Sequence, residues 1–380
     1  MFKKLFAVLM IAVFMGGILV GCNGNGTDTD TDTDEVSEPA GTTETPTDTG
    51  ADTGDFPFEE VGLSPMSMAD GGELAVIVIG ATHGFPLGVH WYAENRVNEL
   101  RELGVNAVLH VGETPENQVQ VVEQLLTRAD SLAGIVILPF DPTLANAVQQ
   151  IVDADVPLVQ FNRVIFEVPS NAMIAGDNHG IGFETARVFY ERGITLDDRV
   201  LEMPGSNSSV VETRSRGFRE GLMEFLGWTE DEVESIITRT DFTMWNRDTS
   251  RNLFESFVGT TPQDELDRLR FVFTHDDEIA IGVFNAIEAG NLPGDVSAIE
   301  VVSASAGKQE MYNMLHEGTW DDYFYVFSLT HAPNMIVESI DTMLRVLAGE
   351  TFPSTETIFT PTILVDRENA ADFLNPDSPY

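Results

Sequence analysis

The residues able to do chemistry in this chain gather where its apolar runs stop. They stand in His83-Gly84-Phe85-Pro86, Phe140-Asp141-Pro142, Phe161-Asn162-Arg163, Gly176-Asp177-Asn178, Gly205 to Arg214, Thr243-Met244-Trp245-Asn246, His275-Asp276-Asp277 and Ser303-Ala304-Ser305. Catalysis calls for a nucleophile beside a base or for converging metal ligands, and neither pattern stands out. What recurs is flat aromatic faces, Phe85, Trp245 and Trp91, together with forked polar groups, Asn162, Arg163, Arg214 and Asp276. That combination suits a sugar. A pyranose offers apolar C–H faces to aromatic rings, and its hydroxyls donate and accept at the ring edge. Charged, fork-shaped partners make the stronger hydrogen bonds there once water is excluded.

Such groups need elements to position them, and these are readable from Glu73 onward. Short β-branched runs, among them "LAVIVIG", "GIVILP", "LRFVFTHDD" and "YFYVFSL", alternate with helix-length amphipathic stretches such as "QVQVVEQLLTRA" and "NMIVESIDTMLRVLAGE". Runs apolar on both faces predict parallel sheets covered by helices. Their number, over roughly 300 residues, suits two α/β domains better than one. Ligands of such folds bind where strand carboxyl ends meet the following loops, which is where the polar and aromatic residues stand.

The first 72 residues have a different character. Lys3 and Lys4 precede an apolar stretch from Leu5 to Val20, which reads as a secretory signal over 1–21. Cys22, the sole cysteine, follows Leu19-Val20-Gly21 and resembles the lipobox of bacterial lipoproteins, whose cysteine is lipidated after cleavage. A plain membrane anchor is the alternative, but the stretch is short for a span and no basic stop-transfer cluster follows. Residues 22–72 then read as the lipidated cysteine and a disordered acidic Thr/Asp/Gly tether. With no second cysteine the folded part has no disulfide and no thiol nucleophile. The formal net charge of -42, from 62 acidic against 20 basic residues, excludes nucleic acid as a partner, since no basic stripe exists to neutralise phosphates. Lys308 is the one lysine beyond the signal, and an acidic, lysine-poor composition looks like that of proteins from saline habitats.

The order and spacing of "FPLG", "VPLVQFNR", "AGDNHGIG", "ETRSRGF", "FTMWN", "THDDEIAIG" and "LAGE" resembles the type I periplasmic sugar-binding proteins of ABC importers, particularly the galactose/glucose and ribose binders, over about Glu73 to Asp366. The resemblance implies two Rossmann-like α/β lobes with parallel sheets joined by a three-segment hinge: 73–177 with 330–352, and 178–329 with 353–380. It implies Phe85 as a stacking aromatic, with His83 where galactose binders have a carboxylate. Asn162 and Arg163 match the polar pair after the fourth strand, Arg214 the arginine of Arg-x-x-Gly-Phe, and Trp245 the second stacking aromatic. Asp276 replaces an asparagine before Asp277. Ser303-Ala304-Ser305 stands where the family has Gly-Phe-Asp, which puts Ser305 in the aspartate's place, and Thr330 at a crossing completes the expected contacts. The family's calcium loop is missing, so no metal and no cofactor are expected.

The implied function is capture of a monosaccharide by a lipid-anchored, monomeric receptor that hands it to an ABC permease and its ATPase. A receptor for a signal molecule or a nucleoside, serving a chemoreceptor or sensor kinase, is the nearest alternative. A glycan-acting enzyme would need two carboxylates across the cleft, of which only Asp276 is evident. Blander roles stay open too: core packing for Trp245, a surface ion pair for Arg214 beside Glu212, a simple turn for Asn162-Arg163, and capping for Asp177 and Asp277. His275 to Glu278 carries metal-ligand residue types, but neighbours in sequence rarely converge without partners elsewhere.

Overall fold

The computed structural model describes residues 72–81, 84–353, 357–378 and 380, all within one unit, Thr47–Tyr380. In chain order its strands are β1 (Glu73–Ile79), β2 (Ala107–Gly112), β3 (Leu132–Ile137), β4 (Leu158–Phe161), β5 (Ala172–Gly176), β6 (Arg199–Met203), β7 (Ile237–Arg239), β8 (Leu269–Thr274), β9 (Val301–Ala306), β10 (Tyr325–Thr330), β11 (Thr357–Thr360) and β12 (Leu364–Val365). They form two six-stranded sheets, ordered β11-β5-β4-β3-β1-β2 and β12-β10-β9-β8-β6-β7. The second repeats the first strand for strand. All pairings are parallel except the short antiparallel one between β10 and β12.

Helices on both faces explain why the strands read as unbroken apolar runs. Every residue of β1 is buried. On one side lie α1 (Gly84–Glu102) and α11 (Met335–Leu347), whose Val89, Val97, Leu100, Ile336, Ile340 and Met343 share a core with Leu74, Val76 and Val78. On the other lie α2 (Pro115–Leu126) and α3 (Ala145–Asp153), which pack Val122, Leu125, Val148 and Ile151 on Ala75 and Ile77. The second lobe has the same three layers. There α4 (Asn178–Glu191) and α5 (Ser209–Leu226) cover one face, and α7 (Arg247–Thr260) and α9 (Asp277–Glu288) the other. None of the described helices is long and apolar enough to cross a membrane.

The chain crosses between lobes at Asp177, which caps α4 by accepting from the Gly180 amide at 2.7 Å, and again after β10. The third crossing corrects the expected boundary. β11 extends β5 in parallel, so the return to the first lobe runs through Thr360 and not to 352, and residues 357–360 do not belong to the second lobe. "TIFT" is a half-exposed edge strand, so it lacks the continuous apolar run that marks central strands.

In each sheet the order reverses beside one strand, β1 in the first lobe and β6 in the second, leaving a crevice at its carboxyl end. The segments after β1, β6 and β8 open onto these crevices.

Candidate functional site: a cavity between the lobes

A cavity lies between the lobes, walled by Phe85, Asn162, Arg163, Ser208, Val210, Arg214, Trp245, Asp276, Ala306 and His331. Six of these are residues expected from the sequence. Phe85, Asn162 and Arg163 come from the first lobe, and Arg214, Trp245 and Asp276 from the second.

Backbone geometry sets several of these side chains. Asn162 ends β4 at φ 60°, a left-handed conformation that asparagine tolerates better than most residues. Its Oδ1 lies 3.0 Å from Nε2 of His331, across the hinge. Met244 and Trp245 both have φ 56°, strain of the kind that persists where surrounding structure over-determines it. The Trp245 ring lies against Gly205, where any Cβ would collide with it, and its Nε1 donates to Ser206 Oγ at 2.9 Å. The ring is half-buried, with one side on the second-lobe core and the other part of the cavity wall.

Arg214 is held by three groups. Its Nε donates to Asn178 Oδ1 at 2.9 Å, and its Nη1 to Ser305 Oγ at 2.7 Å and to the His275 carbonyl. Burial pulls its pKa down to about 10, only partly offset by Asp276. Arg163 donates from Nη1 to the Phe140 carbonyl at 2.6 Å, and burial lowers its pKa as well. Asp276 caps α9 by accepting from the Glu278 amide at 2.8 Å; burial and the neighbouring Asp277 push its carboxyl well above the usual range. His331 is held well below its ordinary value by burial and by Arg214.

Two expected contacts fall behind the wall. Ser305 accepts from Arg214 and donates to the His275 carbonyl at 2.9 Å, so it orients the arginine from outside the cavity lining. Thr330 spends its hydroxyl on the Ile363 amide at 2.8 Å, tying β10 to the third crossing, and its neighbour His331 reaches the cavity instead. Trp91 is also elsewhere: it packs edge-on against Tyr92 at 4.7 Å between centroids and lines an outer groove. His83 and Cys22 lie outside the described residues.

Residues 275–278 diverge. His275 meets Glu202 at 3.1 Å, Asp276 faces the cavity, Asp277 binds the Gly307 and Lys308 amides and Ser328 Oγ, and Glu278 pairs with Lys308 at 2.9 Å. No group of three or more potential ligands able to hold a metal ion occurs among the described residues.

His331 and Tyr380 were missed from sequence. His331 stands one residue past Thr330, before Ala332-Pro333, a strand-end signal like those at the other loops. Nothing marked Tyr380, whose ring packs against Gly84 of α1 and edge-on to Phe85 at 6.5 Å. Coming from the segment after β12, it ties the second lobe's last stretch to the first lobe.

Comparison with known proteins agrees with this fold. No curated protein matches the sequence. Among solved structures, a galactofuranose binding protein superposes with a TM-score of 0.63 at 18% identity, covering 80% of this chain and 97% of its own. A protein from Mycobacterium smegmatis in complex with β-D-fucofuranose gives 0.64 at 19% identity, covering 79% and 93%. The periplasmic binding protein component of the arabinose ABC transporter from Shewanella sp. ANA-3, bound to α- and β-L-arabinofuranose, gives 0.63 at 17%, covering 79% and 93%. At these identities the likeness establishes the fold. The sequence profile of the periplasmic binding protein domain matches residues 74–351, nearly the whole of the two lobes, and this chain therefore belongs to that family.

Proposed function

We propose that this protein is an extracytoplasmic, lipid-anchored receptor that captures one monosaccharide between its lobes and delivers it to an ABC importer. The observation that carries this reading is the wall of the cavity, which brings Phe85, Asn162 and Arg163 of one lobe opposite Arg214, Trp245 and Asp276 of the other. Aromatic faces beside forked donors and acceptors match the two chemistries of a sugar ring. Three backbone crossings let such lobes close as hinged bodies, and closure removes water from contacts that neither half-site shields alone. A binding role fits better than a glycan-cleaving one, since the described residues of the wall include one carboxyl group where glycoside hydrolysis uses two. Anchoring through Cys22, a tether over 22–72, a monomeric state and a permease with its ATPase complete the reading.

A thermal-shift screen of the full chain against monosaccharides tests it. A sugar at a hundred times its Kd stabilises the bound form by about 2.7 kcal/mol. A flat melting temperature across pentoses, hexoses and their furanose-rich members would overturn the proposal.

A further inference from the structure

We propose that the sugar taken by this cavity is an anionic one, a sugar acid whose carboxylate lies between Arg163 and Arg214. The proposal rests on the monosaccharide reading above and narrows its substrate class.

Acidic residues outnumber basic ones by 62 to 20, so carboxylates are at hand for every cation. Among the described residues, each buried or half-buried arginine has a carboxylate within 4.0 Å, except two. The two are Arg163 and Arg214, and both line the inter-lobe cavity.

Their hydrogen bonds go to neutral groups. Arg214 binds Asn178, Ser305 and a carbonyl, and Arg163 a carbonyl. Nη2 of Arg214, and Nε and Nη2 of Arg163, bond no described residue. A buried cation without a counter-charge is strongly disfavoured. Two facing one cavity in a chain rich in carboxylates mark a place where the counter-charge comes with the ligand.

The remaining wall does not cancel them. Among the described lining residues Asp276 carries the one carboxyl group; burial and Asp277 oppose its ionisation, and its Oδ1 is engaged by the Glu278 amide. Asp141 acts on Arg163 electrostatically, but from outside this lining and beyond 4.0 Å. His331 adds a ring whose Nδ1 is buried with no hydrogen-bond partner among the described residues. Ser305, the residue next to Arg214, is a hydroxyl and carries no charge.

A neutral sugar would satisfy the donors through its hydroxyls but bring no counter-charge to two arginines that lack a carboxylate within 4.0 Å. A carboxylate brings one negative charge, with two oxygens that match the free Nε–Nη2 fork of Arg163 and can also accept from the free Nη2 of Arg214. The molecule's overall acidity slows encounter with an anion but does not weaken the closed complex. At physiological salt, charges more than about 8 Å away are largely screened, whereas contacts inside the cavity are not.

The test is titration of the full chain at neutral pH with matched pairs: D-glucuronate and D-glucose, D-galacturonate and D-galactose, D-ribonate and D-ribose. The acid of at least one pair should bind tenfold or more tightly than its neutral partner, and Arg163→Gln should abolish that preference. Arg163→Lys, which keeps the charge but not the fork, should retain part of it. Neutral sugars binding as well as their acids, or better, would overturn the proposal and leave the monosaccharide reading standing. Binding of no acid in any pair would overturn the proposal, and a flat response to the whole monosaccharide screen as well would overturn both. Because the wild-type comparison decides by itself, a variant that fails to fold does not obscure the result.

Discussion

Gly205 shows how a residue without a side chain shapes a binding wall. A Cβ there would collide with the Trp245 ring, so Gly205→Ala is expected to displace the ring while removing no group that faces the cavity. Sugar affinity should fall about tenfold or more, an effect of misplacement alone, and comparison of Kd with the apo denaturation midpoint separates it from simple unfolding. A second residue-scale expectation concerns Glu202, buried in the second lobe. Burial opposes its ionisation, yet His275, Arg219 and Ser215 together hold the carboxyl at about 2, against an ordinary value of 4.5. A depressed carboxylate contributes stability above the unfolded value, and that stability disappears as pH falls through the folded one. Glu202→Gln should therefore destabilise the protein near neutrality, with the gap to wild type closing as pH falls from 4.5 towards about 2. Urea denaturation of both proteins across that range measures the gap; one that stays constant would contradict the linkage. Most cavity residues were legible because they end apolar strands, where a polar or aromatic residue has few other reasons to stand. His331 was displaced by one from the expected Thr330, since sequence order does not say which of two neighbours turns inward. Tyr380, which packs against Phe85 without lining the cavity, arrives by a tertiary path with no local pattern.

At the scale of elements, the placement of Arg214 depends on how closely α5 approaches α4. A Cβ on Gly182 would collide with the Arg214 carbonyl, and one on Gly217 with the His179 carbonyl, so two glycines let the helix backbones touch. Gly217→Ala is expected to force the helices apart, costing roughly 1–3 kcal/mol of stability, and to shift Arg214 from Asn178 and Ser305. A melting temperature and affinity equal to wild type would show that the contact does not set the arginine. The central strands were readable because helices bury both their faces, which leaves an unbroken apolar run. β11 and β12 were not, since a half-exposed edge of four residues and a pair of two resemble loop, and this is why the third crossing came out beyond its expected place. The family resemblance supplied the two-lobe plan, while the apolar periodicity supplied the parallel sheets within it.

The whole molecule carries a formal charge of -42, so repulsion among its carboxylates acts against compactness. Raising NaCl from about 0.05 to 1 M shortens the screening length to roughly 3 Å and is expected to raise the melting temperature; a flat profile would mean that the charge is locally compensated. The same scale holds the central claim, that one sugar is bound jointly by two lobes. The direct measurement is calorimetric titration of the monosaccharide that most raises the melting temperature, into wild type, Asn162→Ala of the first lobe and Trp245→Ala of the second. One sugar should bind per chain, and both variants should lose affinity, by on the order of 2 kcal/mol for the tryptophan. Undiminished binding after either change, or a stoichiometry other than one, would contradict it.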